Sequence, residues 1–217
     1  MGGWNGDQLF SSASDPTEAA NCWCTPRELI GALHERHNFA VDLAALRGSA
    51  VVESYFGPDH HDPARRDALA PGVVDQVVAD VNAHATTTGR PASVWCNPPY
   101  GRGIGAWMGL CRRIGEQVPV VALTFVRTDT RWWWSEVMGW EDGRQVTAAQ
   151  SVGLFRGRLI FTDAKGEPNR DARGRPLSAP APSALIFYGP TLSVARVAAL
   201  ALGRPVPAGV QFVPVRL

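Results

Sequence analysis

"ASVWCNPPYGRGIGAWMGLCRRIGEQ", Ala92–Gln117, decides how the rest of the chain is read. Its opening residues are a short apolar run, which predicts a strand running into Asn97. Two adjacent prolines follow, and proline fixes φ and has no N–H to offer a neighbouring strand. From Ile104 the chain predicts a helix. Strand, stiff turn and helix in succession are the unit from which α/β sheets are built. The next run, "VPVVALTFV" (Val118–Val126), is strongly apolar, as expected of a strand covered on both faces.

Working outward, "FAVDLAA" (Phe39–Ala45) predicts a short strand carrying Asp42 near its carboxyl end, and "SAVVESYF" a second strand or mixed segment. "TPRELIGALHERH" predicts a helix with Thr25 as N-cap, Pro26 at the first helical position and Glu28 completing a capping box. Its apolar stripe is Leu29, Ile30 and Leu33. Residues Gly57 to Pro71 are rich in Pro, Asp and His and predict a loop. "VVDQVVADVNAHA" has helical spacing through Val73, Val74, Val77, Val78 and Val81. Beyond Val126, "GLFRGRLIFTD" and "SALIFYG" predict two strands of a hairpin, joined by the polar, Pro/Gly-rich "AKGEPNRDARGRPLSAPAP". A helix, "SVARVAALALG", and a short apolar tail follow. No internal repeat is apparent. The expectation is an α/β sheet with an antiparallel edge pair. A flexible arm is expected over residues 1–20, one domain over 21–217, and a flexible hairpin loop over 162–182.

The 217 residues suffice for one domain with a sizeable core. Apolar residues make up 45% and charged residues 19%, and the formal net charge is only +1, so bulk electrostatics identify no partner. A nucleic-acid binder with this balance must concentrate positive charge locally. Lys165 is the only lysine among the cations. Arginine suits bidentate contacts to phosphate and guanine, and a compositional bias of the genome accounts for the preference equally well. Four cysteines are too few for a disulfide scaffold at this length. Cys22 and Cys24 with His34 and His37 lack the spacing of the common structural zinc patterns, and no metal is expected. No signal segment is visible and no apolar run reaches spanning length, so no membrane partner is expected.

Asp42 and Asn97 both fall at strand carboxyl ends, where ligands of α/β sheets sit. The chemistry of Asn97-Pro98-Pro99-Tyr100 follows from its groups. The asparagine oxygen and a carbonyl of the proline turn together can accept both hydrogens of an –NH2 group. Such contacts orient the nitrogen lone pair and stabilise positive charge developing there. The proline rings hold that geometry in advance of binding. Tyr100 offers a flat face for a planar base or amide. The motif aims an amine and needs no titratable residue. The alternative is a proline turn ending a strand, with the tyrosine as a cap.

Several segments together resemble the phage- and prophage-type DNA N-6-adenine methyltransferases. "CWCTPRELIGAL" looks like that family's N-terminal W-x-T-P helix start, "FAVDLAA" like its acidic strand end, and "VWCNPPYGRGIGAW" like its catalytic segment. "RTDTRWW" resembles the signature after the next strand, and "RGRLIF" with "PSALIFYG" the terminal hairpin. These segments keep the family's order over roughly residues 15–190. The resemblance implies a Rossmann-like, mostly parallel sheet with an antiparallel C-terminal hairpin. It also implies S-adenosylmethionine as cofactor, double-stranded DNA as partner, and a cytoplasmic location in a bacterium or phage-infected cell. By the same resemblance Asn97, Pro98, Pro99 and Tyr100 would be catalytic, with Tyr100 stacking on a flipped adenine. Asp42 would bind the methionine part of the cofactor or orient its loop, with Asn97, Trp23, Thr25 and Pro26 beside it. Asp67 and Leu69, in "DAL", would sit by the cofactor adenine; the plain alternative is a loop aspartate starting a turn. Two features depart from the family pattern: "LAALRG" after Asp42 is not a compact glycine-rich loop, and residues 56–93 are longer than a minimal member needs.

Arg127, Thr128, Asp129 and Arg131 follow a buried strand and are read either as an Arg–Asp network with the three tryptophans as core, or as DNA contacts. Arg156 and Arg158, two apart on a predicted strand and so on one face, are read as phosphate contacts with the arginines of the following loop. "GRGIG" (Gly101–Gly105) lacks the spacing of a phosphate-binding loop and reads as the exit from the turn. His60 and His61 are expected in solvent. Methylation of a protein glutamine amide, or a DNA-binding module without catalysis, are the alternative activities.

Overall fold

The computed structural model describes residues 23–145, 149–189 and 210–214; the expected N-terminal arm and the predicted helix after Gly189 lie outside them. The strands are β1 (Phe39–Asp42), β2 (Ser93–Cys96), β3 (Val120–Phe125), β4 (Trp140–Glu141), β5 (Arg144–Gln145), β6 (Ser151–Phe155), β7 (Ser183–Tyr188) and β8 (Val210–Pro214). The helices are α1 (Arg27–His37), α2 (Val73–Thr88) and α3 (Ile104–Gly115). The protein is α/β. Six strands form one mixed sheet in the order β1-β2-β3-β7-β6-β8, and β4 and β5 make a separate small hairpin.

β1, β2 and β3 are joined in parallel, with α2 and α3 in the two connections. β7 then pairs antiparallel with β3, and β6 antiparallel with β7. Two successive reversals mean that β6 points the same way as β1, β2 and β3. The expected parallel character therefore holds for the direction of four strands, while every pairing beyond β3 is antiparallel. The apolar tail contributes β8, antiparallel on the far side of β6.

Alternation along β3 assigns the two faces of the sheet. Val120 and Ala122 join one apolar cluster with Val77 and Val81 of α2 and Met108, Leu110 and Ile114 of α3. Val121, Leu123 and Phe125 join the other, with Leu29 and Leu33 of α1, Trp95 and Phe161. All six residues of β3 are buried, because both faces are covered.

α1 corrects one expectation. It begins at Arg27, with Pro26 rather than Thr25 in the cap position, and no side chain caps it. Pro26 carries extended ψ 133, so its ring ends the preceding extended segment instead of opening the helix. The helix stops at Asn38, left-handed at φ 48, whose side chain reaches Thr88 Oγ1 (3.1 Å) and His84 Nε2 (3.1 Å) at the end of α2.

The stretch read as a second strand or mixed segment is mostly bends. Only its end pairs with β1, through Asp42 N–H to Ser54 O (2.9 Å) and Phe56 N–H to Asp42 O (2.8 Å). His60 is also corrected: it is 5% exposed, accepts from Asp62 N–H on Nδ1 (3.0 Å) and meets Tyr55 edge-on, whereas His61 is exposed. The loop turns inward because Arg65 is anchored to Asp80 of α2 and lies over the Phe56 ring.

Between β6 and β7 the chain makes two turns of one design, and they correct the reading that no repeat is present. "DAKGEP" (Asp163–Pro168) and "DARGRP" (Asp171–Pro176) lie eight residues apart. In each, the aspartate carboxylate accepts two backbone N–H groups, from Lys165 and Glu167 or from Arg173 and Arg175. Gly166 (φ 90) and Gly174 (φ 76) supply the left-handed residue such turns need. Phe161, Asn169 and Leu177 are laddered through backbone bonds of 3.0 and 2.6 Å, so the two turns stack against one spine.

Candidate active site

Asn97 is the first residue beyond β2, and its side chain is held at both ends. Its Nδ2 donates to the main-chain carbonyl of Trp23 (2.8 Å), and its Oδ1 accepts from the Tyr100 hydroxyl (2.8 Å). Pro98 and Tyr100 are buried and Asn97 and Pro99 half-buried. The Tyr100 ring lies on Phe125, with centroids 3.9 Å apart and planes 15° apart, and Phe161 meets it edge-on at 5.9 Å. Burial pushes the Tyr100 phenol well above its ordinary range, so it stays a hydrogen-bond donor.

The Trp23 carbonyl is placed from far away in the chain. Cys24 exchanges two backbone hydrogen bonds with Thr162, N–H to O at 2.9 Å and O to N–H at 3.0 Å. Trp23 also meets Phe161 edge-on, 5.2 Å between centroids. The N-terminal segment thus runs between the proline turn and the first of the two repeated turns.

Asp42 is 2% exposed, and its carboxylate accepts from Ala44 N–H (3.2 Å) and Val51 N–H (3.1 Å). Burial raises its pKa to about 6, against the pull of those two bonds. Both contacts bind the chain after β1 to itself, so this carboxylate orients its own loop. Asp67 is exposed and accepts from Leu69 N–H (2.8 Å), which is the turn-starting role, and Leu69 is 39% exposed.

Thr25 bears on whether these residues fit an S-adenosylmethionine. Its Oγ1 is buried without a hydrogen-bond partner among the described residues, and it stands before the uncapped first turn of α1. A buried hydroxyl without a partner among the described residues, standing before a helix start that no side chain caps, is a polar group that a carboxylate-bearing ligand such as S-adenosylmethionine would satisfy. Asp42 has its backbone bonds already in place.

Of the candidate arginines, Arg127 and Arg156 leave from the sheet edge that carries Asn97. Arg127 follows β3 and pairs with Asp129 (3.2 Å), with both side chains largely in solvent. Arg131 turns to Asp142 (3.3 Å) at the tip of the β4–β5 hairpin rather than to Asp129. The Thr128 carbonyl accepts from Trp134 Nε1 (2.9 Å). Of the three tryptophans Trp133 is core, Trp132 packs half-buried against that core, and Trp134 is 48% exposed. Arg156 and Arg158 are exposed, but they do not share a strand face: β6 ends at Phe155, and Gly157 at φ 93 breaks the alternation. Because β6 points the same way as β3, Arg156 nevertheless emerges from the edge that carries Asn97 and Arg127. Trp107, beyond Gly101–Gly105, packs against the α2–α3 core.

The sequence reading missed the Trp23 carbonyl, the Ala44 and Val51 amides, Phe125 and Phe161. A main-chain group leaves no trace in residue identity; the two phenylalanines could be suspected only as apolar strand residues. No helix among the described residues is long and apolar enough to cross a membrane, and no group of three His, Cys, Asp or Glu among them could hold a metal ion. No protein-family model matches the chain, and no curated protein matches it in sequence.

Proposed function

We propose that the protein methylates the exocyclic amine of adenine in double-stranded DNA, using S-adenosylmethionine on a Rossmann-like sheet. The observation that carries this reading is the fixed Asn97 amide at the carboxyl end of β2, with Arg127 and Arg156 leaving the same rim. S-adenosylmethionine, when bound, supplies an electrophilic methyl group; Thr25, Trp23 and Pro26 would hold it from the N-terminal side. Asn97 Oδ1 and the Pro98 carbonyl accept the two amine hydrogens, aim the nitrogen lone pair and stabilise the positive charge that develops. Tyr100, backed by Phe125, is the platform for the base. Its ring is 6% exposed, so a flipped adenine reaches it only when the Phe161 side chain rotates away, with the Cys24–Thr162 backbone pairing kept. The arginines neutralise backbone phosphates, concentrating charge where the net balance of +1 cannot.

The test is transfer of a tritiated methyl group from labelled cofactor to unmethylated DNA, compared with transfer to protein. Label in DNA, with methylated adenine recovered by sequencing, is the expected result. Asn97→Ala should abolish transfer and leave cofactor binding near normal. Label in protein glutamine, or DNA binding without transfer, overturns the reading.

A further inference from the structure

An asparagine amide has an acceptor end and a donor end of nearly the same shape. A site that grips an amine needs the acceptor presented, since a donor facing –NH2 puts hydrogen against hydrogen. Nothing in N-P-P-Y itself dictates which end faces out. The structure supplies what does. The Trp23 carbonyl can only accept, so it selects Nδ2 at 2.8 Å and leaves Oδ1 at the opposite end, where it accepts from the Tyr100 hydroxyl at 2.8 Å. An amide oxygen accepts two hydrogen bonds, so Oδ1 keeps one lone pair for the substrate. The carbonyl is held by the two bonds between Cys24 and Thr162, residues 138 apart in sequence. Trp23 on Phe161 closes the same junction with apolar contact.

We infer that the Trp23 main-chain carbonyl, fixed by the Cys24–Thr162 bridge, is a positioning group that sets the polarity of the Asn97 amide toward the substrate amine. The role of the Asn97 oxygen rests on the proposed function; the locking of the amide does not. Strand pairing between the N-terminal segment and the first repeated turn thereby controls the catalytic turn without touching substrate.

The inference separates from a merely structural role through the chemistry of position 97. A carboxylate accepts at both oxygens and has no orientation to select, and its second oxygen is repelled by the Trp23 carbonyl, so in Asn97→Asp the polarity device serves no purpose. Cys24→Pro removes the N–H that donates to Thr162, while Cys24→Ala changes the thiol and keeps the bridge. With Asn97 present, Cys24→Pro should lower kcat at least tenfold, and at least fivefold more than Cys24→Ala does. In the Asn97→Asp background, Cys24→Pro should cost less than twofold. Equal losses in both backgrounds overturn the inference.

A second measurement uses the full chain without cofactor or DNA. Wild-type protein should show a through-hydrogen-bond coupling between Asn97 Nδ2 and the Trp23 carbonyl carbon by NMR, with Nδ2 hydrogens exchanging at least tenfold slower than those of an exposed asparagine. Absence of both overturns the inference, whether or not any variant folds or Asn97→Asp is active. A locked amide in a protein that methylates no DNA sinks the proposed function and leaves the locking intact.

Discussion

The rings of Tyr100 and Phe125 lie face to face, 3.9 Å between centroids and 15° between planes, joining the proline turn after β2 to the last residue of β3. The stack and the Tyr100–Asn97 hydrogen bond are separable. Tyr100→Phe keeps the ring and loses the bond, and should cost about 1 kcal/mol of stability. Tyr100→Ala loses both and should cost about 3–5 kcal/mol. Urea unfolding checks the difference; equal costs would mean that the ring contributes little.

Asp42 and His37 give opposite pH dependences. Burial raises Asp42 to about 6, so its contribution to stability is full below its unfolded value near 4 and is lost as pH rises through 6. Burial, aided by Arg36, lowers His37 to about 4, so its contribution is full above 6.5 and is lost as pH falls through 4. His34 is lowered too and acts in the same sense as His37. The slopes oppose each other between about pH 4 and 6.5. Asp42→Asn should therefore expose a loss on acidification that wild type masks, on the order of 1–2 kcal/mol after allowance for the partial exposure of His37. Urea midpoints measured across this window should diverge; parallel curves would contradict the assignment.

Gly57 closes the loop that Asp42 organises. A Cβ at this position would run into the Ala45 carbonyl, whose own N–H donates to Phe56 O at 3.0 Å. The obstacle is backbone and cannot rotate away. Gly57→Ala should cost more than the roughly 1 kcal/mol typical of a substitution, and amide exchange at Ala45 should accelerate. Gly48→Ala, where a Cβ meets nothing within 4 Å, is the control and should be close to neutral.

Arg156, at the rim, and Arg158 are both exposed, and on the proposed function reversing both charges should weaken DNA binding. If each contacts one phosphate, the slope of log K against log salt should become shallower by about 2. Unchanged affinity and slope would remove the segment after β6 from the DNA surface.

Much of the site could be read because its chemistry is local. Two prolines after an apolar run place Asn97 and Tyr100 on one turn, and valines at helical spacing mark α2, because backbone rules act over a few residues. The start of α1 is not legible, because Thr25 has the residue type of a cap while the fold buries its hydroxyl. The repeated D-A-x-G-x-P turns are legible as a repeat, yet charge and proline at these positions read equally as a flexible loop.

What the sequence by itself determined is the α/β succession and the proline-stiffened turn that carries Asn97 and Tyr100, both consequences of torsional limits and local apolar patterning. Only the tertiary structure decided that β7 lies between β3 and β6, which brings Arg156 to the rim that carries Asn97. It alone decided that the Trp23 carbonyl meets the Asn97 amide. Both depend on pairing between segments distant in the chain. Backbone N–H and C=O groups carry no residue identity, so long-range register is fixed only when the two cores close.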